Sequence, residues 1–366
     1  MAESILIVTE DPELLDDLLR LCAAAGAEAE VSHGPGESGD PPGERAWRSA
    51  GLVLVGADRA AALGEGAPPV PRRPGVLLVS RDLDDHRVWE RAVRLGAEHV
   101  VFLPDGEGWL TGRIADAAEG VGRAALTVGV VGGRGGAGAS TLACALALTA
   151  ARRGVRSMLI DGDPLGGGLD VLLGGESAEG LRWPAFAESR GRVGARALEE
   201  ALPAMHELRV LSWDRGDSLA VPPEAMRTVL GAARRRGGVV VVDLPRQLDE
   251  AVAEALVQLD IGLLVVPAEL RAVAAARRVC SRLAMLLPDI RVVVRGPFTA
   301  GINADDTARL VGLPLVGELP PERRLAEAVD RGVPPGGAMD GPLARFCSGF
   351  WRQALSDDGR PGSVAA

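Results

Sequence analysis

Lysine and tyrosine are absent from the 366 residues, so all 40 basic side chains are arginine, and aromatic residues make up only 3%. Drift toward GC-rich codons explains the loss of Lys and the abundance of Ala and Gly. Such drift leaves Arg where a lysine disappears; it does not leave Ala. The four cysteines, Cys22, Cys144, Cys280 and Cys347, lie far apart with no Cys-x-x-Cys, each in an apolar helical context. That pattern fits buried thiols in a reducing cytosol. His33, His86, His99 and His206 show no ligand spacing, so nothing points to a metal cluster. No apolar run approaches the length of a membrane span, and the first residues run into a strand without a basic leader region. A soluble, cytoplasmic protein is expected. The net charge of −10 speaks against nucleic acid as the main partner, because duplex binding needs several cationic contacts to phosphate. Arg234, Arg235 and Arg236, and the helix-spaced Arg271, Arg277, Arg278 and Arg282, read as solvated surface rather than as a phosphate-binding face.

What is present is an α/β pattern long enough for two cores, one of about 100 residues and one of about 230. Short β-branched runs alternate with amphipathic stretches, which predicts βα units on a parallel sheet. In the first hundred residues the expected strands are Ser4–Val8, Gly51–Val55, Gly75–Val79 and His99–Leu103. Helices are expected over Pro12–Ala25, with a stripe of Leu14, Leu15, Leu18, Leu19 and Cys22, and over Asp85–Leu95. The segments 34–43 and 64–74 are rich in Pro and Gly and read as loops. The layout resembles the receiver domain of response regulators, a flavodoxin-like fold, over roughly residues 3–120. Glu10 and Asp11 stand where its acidic pocket begins, and Ser80 ends the fourth strand. The resemblance implies a phosphorylated Asp after the third strand, yet Gly56 is there, and Leu103 replaces the Lys ahead of Pro104. Without nucleophile or cation, phosphorylation is not expected. Asp58 comes two residues late and reads as a surface acid.

A linker over 121–125 is expected to lead into the second domain, 126–356, with a flexible tail over 357–366. From Leu126 the sequence reads as strand, glycine-rich turn and helix. Gly133, four residues, Gly138, then Ala139 and Ser140 match the phosphate-loop pattern G-x-x-x-x-G-K-[ST] everywhere except at the lysine, which is Ala139. The glycines let successive backbone N–H groups turn toward one anion, and the following helix adds its positive end.

These residues, together with two further segments, resemble the MinD/ParA group, whose deviant loop reads K-G-G-x-G-K-[ST]-T. The corresponding positions are Arg134, Gly135, Gly136, Ala137, Gly138, Ala139, Ser140 and Thr141. The stretch from Met158 to Gly174 looks like that family's second strand and first switch, which implies a magnesium ligand at Asp161 and a water-positioning, catalytic carboxylate at Asp163. Asp243 ends a buried strand at the Walker B position, and Ser140 would join Asp161 and Asp243 around magnesium. The whole chain resembles the CpaE-like, septum-site-determining branch of the group. The resemblance implies a P-loop fold with a mainly parallel sheet, ATP and magnesium as ligands, a possible homodimer, and partners in division or in a pilus-like secretion system.

Three departures bear on activity. Ala139 removes the cation that bridges the β- and γ-phosphates, a charge-assisted contact worth about 1.5–3 kcal/mol, or roughly ten- to a hundredfold in affinity. Its absence weighs more in a phosphoryl-transfer transition state. Arg134 keeps the charge of the family's cross-dimer lysine with a different head group. Arg295 stands where the family commonly has an adenine-binding Asn. Weak ATP binding and poor hydrolysis are therefore expected, in a regulatory or scaffold protein. An active dimerising ATPase and a nucleoid-binding partition protein are the rival readings. Leu343, Phe346, Cys347, Phe350, Trp351 and Leu355 form a stripe expected to pack on the sheet, with no membrane anchor after it. Trp183, Phe186 and Trp213 are expected in the core, with an interface as the alternative.

Overall fold

The computed structural model describes residues 4–32, 44–64, 73–118, 124–187, 193–216, 220–298 and 302–357. The chain divides into two compact units between residues 122 and 123. The first alternates β1 (Ile5–Val8), α1 (Pro12–Ala24), β2 (Ala29–Ser32), α2 (Glu44–Ser49), β3 (Leu52–Gly56), α3 (Ala57–Gly64), β4 (Val76–Ser80), α4 (Val88–Leu95), β5 (His99–Phe102) and α5 (Glu107–Ala118). Its strands form a parallel sheet in the order β2-β1-β3-β4-β5. The four strands expected from composition are all present, because buried parallel strands are continuous apolar runs. The short polar edge strand β2 carries no such signal.

Asp58, at the start of α3, meets the residues that follow β1. Asp58 is exposed, as expected, but its carboxylate turns back over the sheet. It accepts from the Thr9 hydroxyl at 2.8 Å and from the Glu10 N–H at 2.7 Å. A side chain on Gly56 has no room: its Cβ would stand 2.2 Å from Asp58 Oδ1. The phosphoacceptor position is thus empty of a carboxylate and filled by the neighbouring one.

The second unit runs β6 (Leu126–Gly132), α6 (Ala139–Arg152), β7 (Ser157–Asp161), α7 (Leu169–Leu172), α8 (Trp183–Ala187), α9 (Ala195–Ala201), β8 (Ala204–Met205), β9 (Leu208–Leu211), α10 (Pro223–Arg235), β10 (Val239–Leu244), α11 (Glu250–Leu256), β11 (Ile261–Pro267), α12 (Leu270–Leu283), β12 (Ile290–Arg295), α13 (Ala304–Val311), β13 (Leu315–Leu319), α14 (Leu325–Val329) and α15 (Pro342–Asp357). Eight strands lie in the order β13-β12-β11-β6-β10-β7-β9-β8, all parallel except the β8–β9 hairpin. Helices on both faces create two apolar layers, the arrangement that parallel sheets require.

Trp183, Phe186 and Trp213 are buried in one of these layers, which places them in the core and not at an interface. Trp351 on α15 is fully buried in the other, and its indole N–H donates to the Leu146 carbonyl of α6 at 2.8 Å. The C-terminal stripe is therefore a packed helix, and the tail after residue 357 lies outside the described residues. No described helix is long and apolar enough to cross a membrane. Cys22, Cys144 and Cys347 are buried free thiols, and Cys280 is half-buried. Of the basic clusters, Arg235 donates to the Val193 carbonyl and Arg236 pairs with Glu199, so both serve the fold.

Candidate functional site

The register of five neighbouring strands places the site. Gly132 pairs with Val265, Pro267 with Arg295, and Asp243 with Asp161, so the ends of β6, β11, β12, β10 and β7 reach one edge of the sheet together. The carboxyl edge of an open parallel sheet is where ligands of such folds bind. A cavity of about 510 Å³ opens there, and its wall includes Arg134 to Thr141, Asp161, Asp163, Asp243, Arg246 and Arg295.

The loop between β6 and α6 owes its path to glycine. Gly133 donates to the Val265 carbonyl at 2.8 Å, and a Cβ on it would meet Ala276 Cβ at 2.9 Å, so only glycine passes this close to the sheet. It stands behind the cavity, not in its wall. Gly136 and Gly138 have φ of +67° and +97°, a region disfavoured for residues with a side chain. The consequence is a row of unused donors. Among the described residues, the N–H groups of Gly135, Gly136, Gly138, Ala139, Ser140 and Thr141 find no acceptor in the protein. Gly135 and Gly136 are exposed, but Gly138, Ala139, Ser140 and Thr141 are half-buried, where backbone N–H groups are almost always paired. Six that converge on one cavity at a helix N-terminus form a cradle for an anion.

The acidic side of the cavity is less uniform than its spacing suggests. Asp161 is buried and spends its oxygens on the protein: it accepts from Asp163 N–H at 3.2 Å, from Leu169 N–H at 3.0 Å and from the Ser212 hydroxyl at 3.0 Å. Burial nevertheless pushes its pKa up to about 6. These bonds tie the segment from Gly162 to Leu169 to the end of β7. Asp163 lines the cavity and caps its own turn through Leu165 N–H at 3.0 Å. Asp243 is buried and accepts from the Ser140 hydroxyl; burial first, then the charges of Asp161 and Asp163, drive its pKa up to about 8.

A dication would suit Ser140 and Asp243, because they offer hard oxygen donors and the second carboxylate lacks a compensating charge. Among the described residues no three His, Cys, Asp or Glu side chains come together as a metal-holding group. Such an ion would therefore rely on oxygens brought by the bound anion, as magnesium commonly does.

Arg134 is already committed within the chain. Its Nη2 lies 3.0 and 3.2 Å from the two carboxylate oxygens of Glu269, and Nη1 donates to the Gly135 carbonyl at 3.2 Å. Two further arginines, Arg246 and Arg295, line the cavity at positions that local spacing does not disclose. Arg246 is exposed beside Gly135, and its position directly after the Walker-B-like strand is the only hint in the sequence. Arg295 was legible as a departure from a base-binding pattern, but its reach across to the loop was not.

Known proteins agree with this architecture. The model of the Rv3660c-like, CheY-like N-terminal domain matches residues 8–125. Over 326 residues the chain is 40% identical to the uncharacterized protein Rv3660c of Mycobacterium tuberculosis, covering 88% of this chain and 90% of that protein. The second unit is 27% identical over 222 residues to a putative septum site-determining protein MinD of Nephroselmis olivacea, covering 56% of this chain and 77% of the relative. A ParA family ATPase of Chlorobium tepidum superposes with a TM-score of 0.56 at 18% identity, covering 63% of this chain and 99% of the other; at that identity the likeness speaks for the fold. Fold and cradle thus define the class, a receiver-like unit followed by a P-loop unit of the MinD/ParA group. Within it, the chain belongs to the family of Rv3660c.

Proposed function

We propose that this chain is a regulatory MinD/ParA-like protein, working through protein partners in septum placement or in positioning a pilus-like secretion system. Its loop holds nucleoside triphosphate weakly and hydrolyses it slowly. The observation that carries this reading is the methyl group of Ala139 at the head of α6, inside an otherwise complete row of anion-facing N–H groups. A phosphate loop without its lysine keeps the dipoles that position an anion but lacks the mobile charge that follows the transferring phosphoryl group. In this reading Ser140, Asp161 and Asp243 would hold magnesium, and Asp163 would orient a water. The cellular role follows from the septum site-determining relatives and is a proposal for this chain.

The test is steady-state turnover of magnesium-ATP by the full chain and by Ala139→Lys. The native chain is expected at background, and the variant should bind about ten- to a hundredfold more tightly and gain turnover that Asp163→Ala removes. Native turnover well above background would end the regulatory reading in favour of an active enzyme.

A further inference from the structure

If the cradle takes a polyphosphate, some group must balance a charge that backbone N–H groups only partly offset. Three arginines stand at the cavity. Arg134 is held by Glu269, and Arg246 is exposed at the rim. Arg295 is different: it is half-buried and projects from the end of β12 against the last glycine of the loop. Its Nη1 lies 2.9 Å, and its Cδ 3.6 Å, from where a Cβ on Gly138 would stand. Among the described residues its guanidinium has no hydrogen-bond or ion-pair partner. Burial, and then the like charge of Arg134, lower its pKa against the opposing pull of Glu269. A strand-borne guanidinium without a hydrogen-bond or ion-pair partner, beside six unpaired N–H groups, is complementary to an anion.

We propose that Arg295 supplies, from strand β12, the positive charge that residue 139 no longer brings, and that the cradle thereby binds a polyphosphate. The inference rests on the reading of the loop given above and adds the residue that makes weak binding possible. It also places the charge differently. A lysine at 139 would extend from the helix start, whereas Arg295 is anchored on the far side of β11 and arrives at Gly138 from the flank. A planar head fixed to a strand can grip ground-state oxygens in fork geometry, but it is not on the helix that bears the reacting end. Binding without efficient transfer is the expected result. Arg295 also borders a second cavity of about 300 Å³, lined by Pro297, Leu319, Pro321 and Leu343 among others. A nucleoside attached to the phosphates would extend there, while an inorganic chain would not.

Titration calorimetry of the full chain with magnesium-ATP and with inorganic triphosphate tests this. Arg295→Gln should weaken both ligands by about tenfold or more, Arg295→Lys should recover part of the loss, and Arg309→Gln, exposed on α13 outside both cavities, should change affinity little. Adding Ala139→Lys to Arg295→Gln should restore binding, because a charge from either side meets the same anion. Removal of an unpaired, half-buried cation should leave the ligand-free melting temperature unchanged or higher, which separates lost contact from lost fold. Tighter binding of ATP than of triphosphate assigns a nucleotide as the ligand; equal binding assigns the phosphate chain alone. Native-like affinity in Arg295→Gln overturns the inference, as does a native chain that binds neither ligand. The second outcome leaves the low-turnover reading standing, and high native turnover with an intact Arg295 effect does the reverse.

Discussion

Asp243 and Asp161 lie opposite each other on adjacent strands, and only one residue, Gly162, separates the second from Asp163. Gly162 donates to the Asp243 carbonyl at 2.8 Å, and a Cβ there would approach that oxygen to 2.7 Å, so the spacer must be glycine. Crowding three carboxylates is costly without a cation. The Asp243 pKa rises from 3.8 to about 8, so the folded chain holds a proton that the unfolded chain gives up across that range. Because the native state binds more protons, stability falls as pH rises from about 4 to about 8 and is not recovered above it. In buffer containing a chelator, Asp243→Asn should melt higher than the native chain at pH 8, by the equivalent of about 1 kcal/mol or more, roughly 2–4 °C. The difference should shrink toward pH 5. Calorimetric melts at the two pH values decide it, and a variant that melts lower at pH 8 would mean that the carboxylate is ionised and usefully paired.

At the scale of elements, α6 is apolar on all sides and is buried along nearly its whole length after the loop. A helix of that kind needs cover on its outer face, and α15 provides it. Trp351 is the anchor, fully buried and bonded to the Leu146 carbonyl. Trp351→Ala should cost about 3–5 kcal/mol in urea unfolding, and a loss under 1 kcal/mol would show that α15 is not part of the cooperative core. Trp183 acts similarly at the other face, where its indole N–H donates to the Asp161 carbonyl at 2.6 Å and so buttresses the strand end that carries the acidic group. The helix start and the strands β6, β10, β11 and β12 were readable because long runs of Val, Leu and Ile mark central parallel strands. The helices α2 and α3 and the strands β8 and β9 were not, being short and poorly patterned, so that packing rather than local preference forms them.

The whole molecule consists of two units with separate apolar cores. Residues 124–366, expressed alone, should therefore fold and give one cooperative transition, with retained binding of whatever anion the full chain binds. A fragment that unfolds or aggregates would show that the first unit is needed for the second to be stable. The first unit has the receiver layout with Gly56 at the phosphoacceptor position, and the second has a glycine-rich loop with Ala139 where the phosphate-loop pattern has lysine.

From the linear chain alone came the α/β class, the order of strands and helices, the glycine loop, and the missing lysine, because each is a matter of composition or of spacing within one βα unit. Tertiary structure alone decided which side chains meet: that Asp161 accepts from Asp163, Leu169 and Ser212, that Asp58 fills the space beside Gly56, and that Arg295 reaches Gly138. Those relations depend on the register of β12 on β11 and of β11 on β6, which joins residues remote in sequence through hydrogen bonds that local periodicity does not encode.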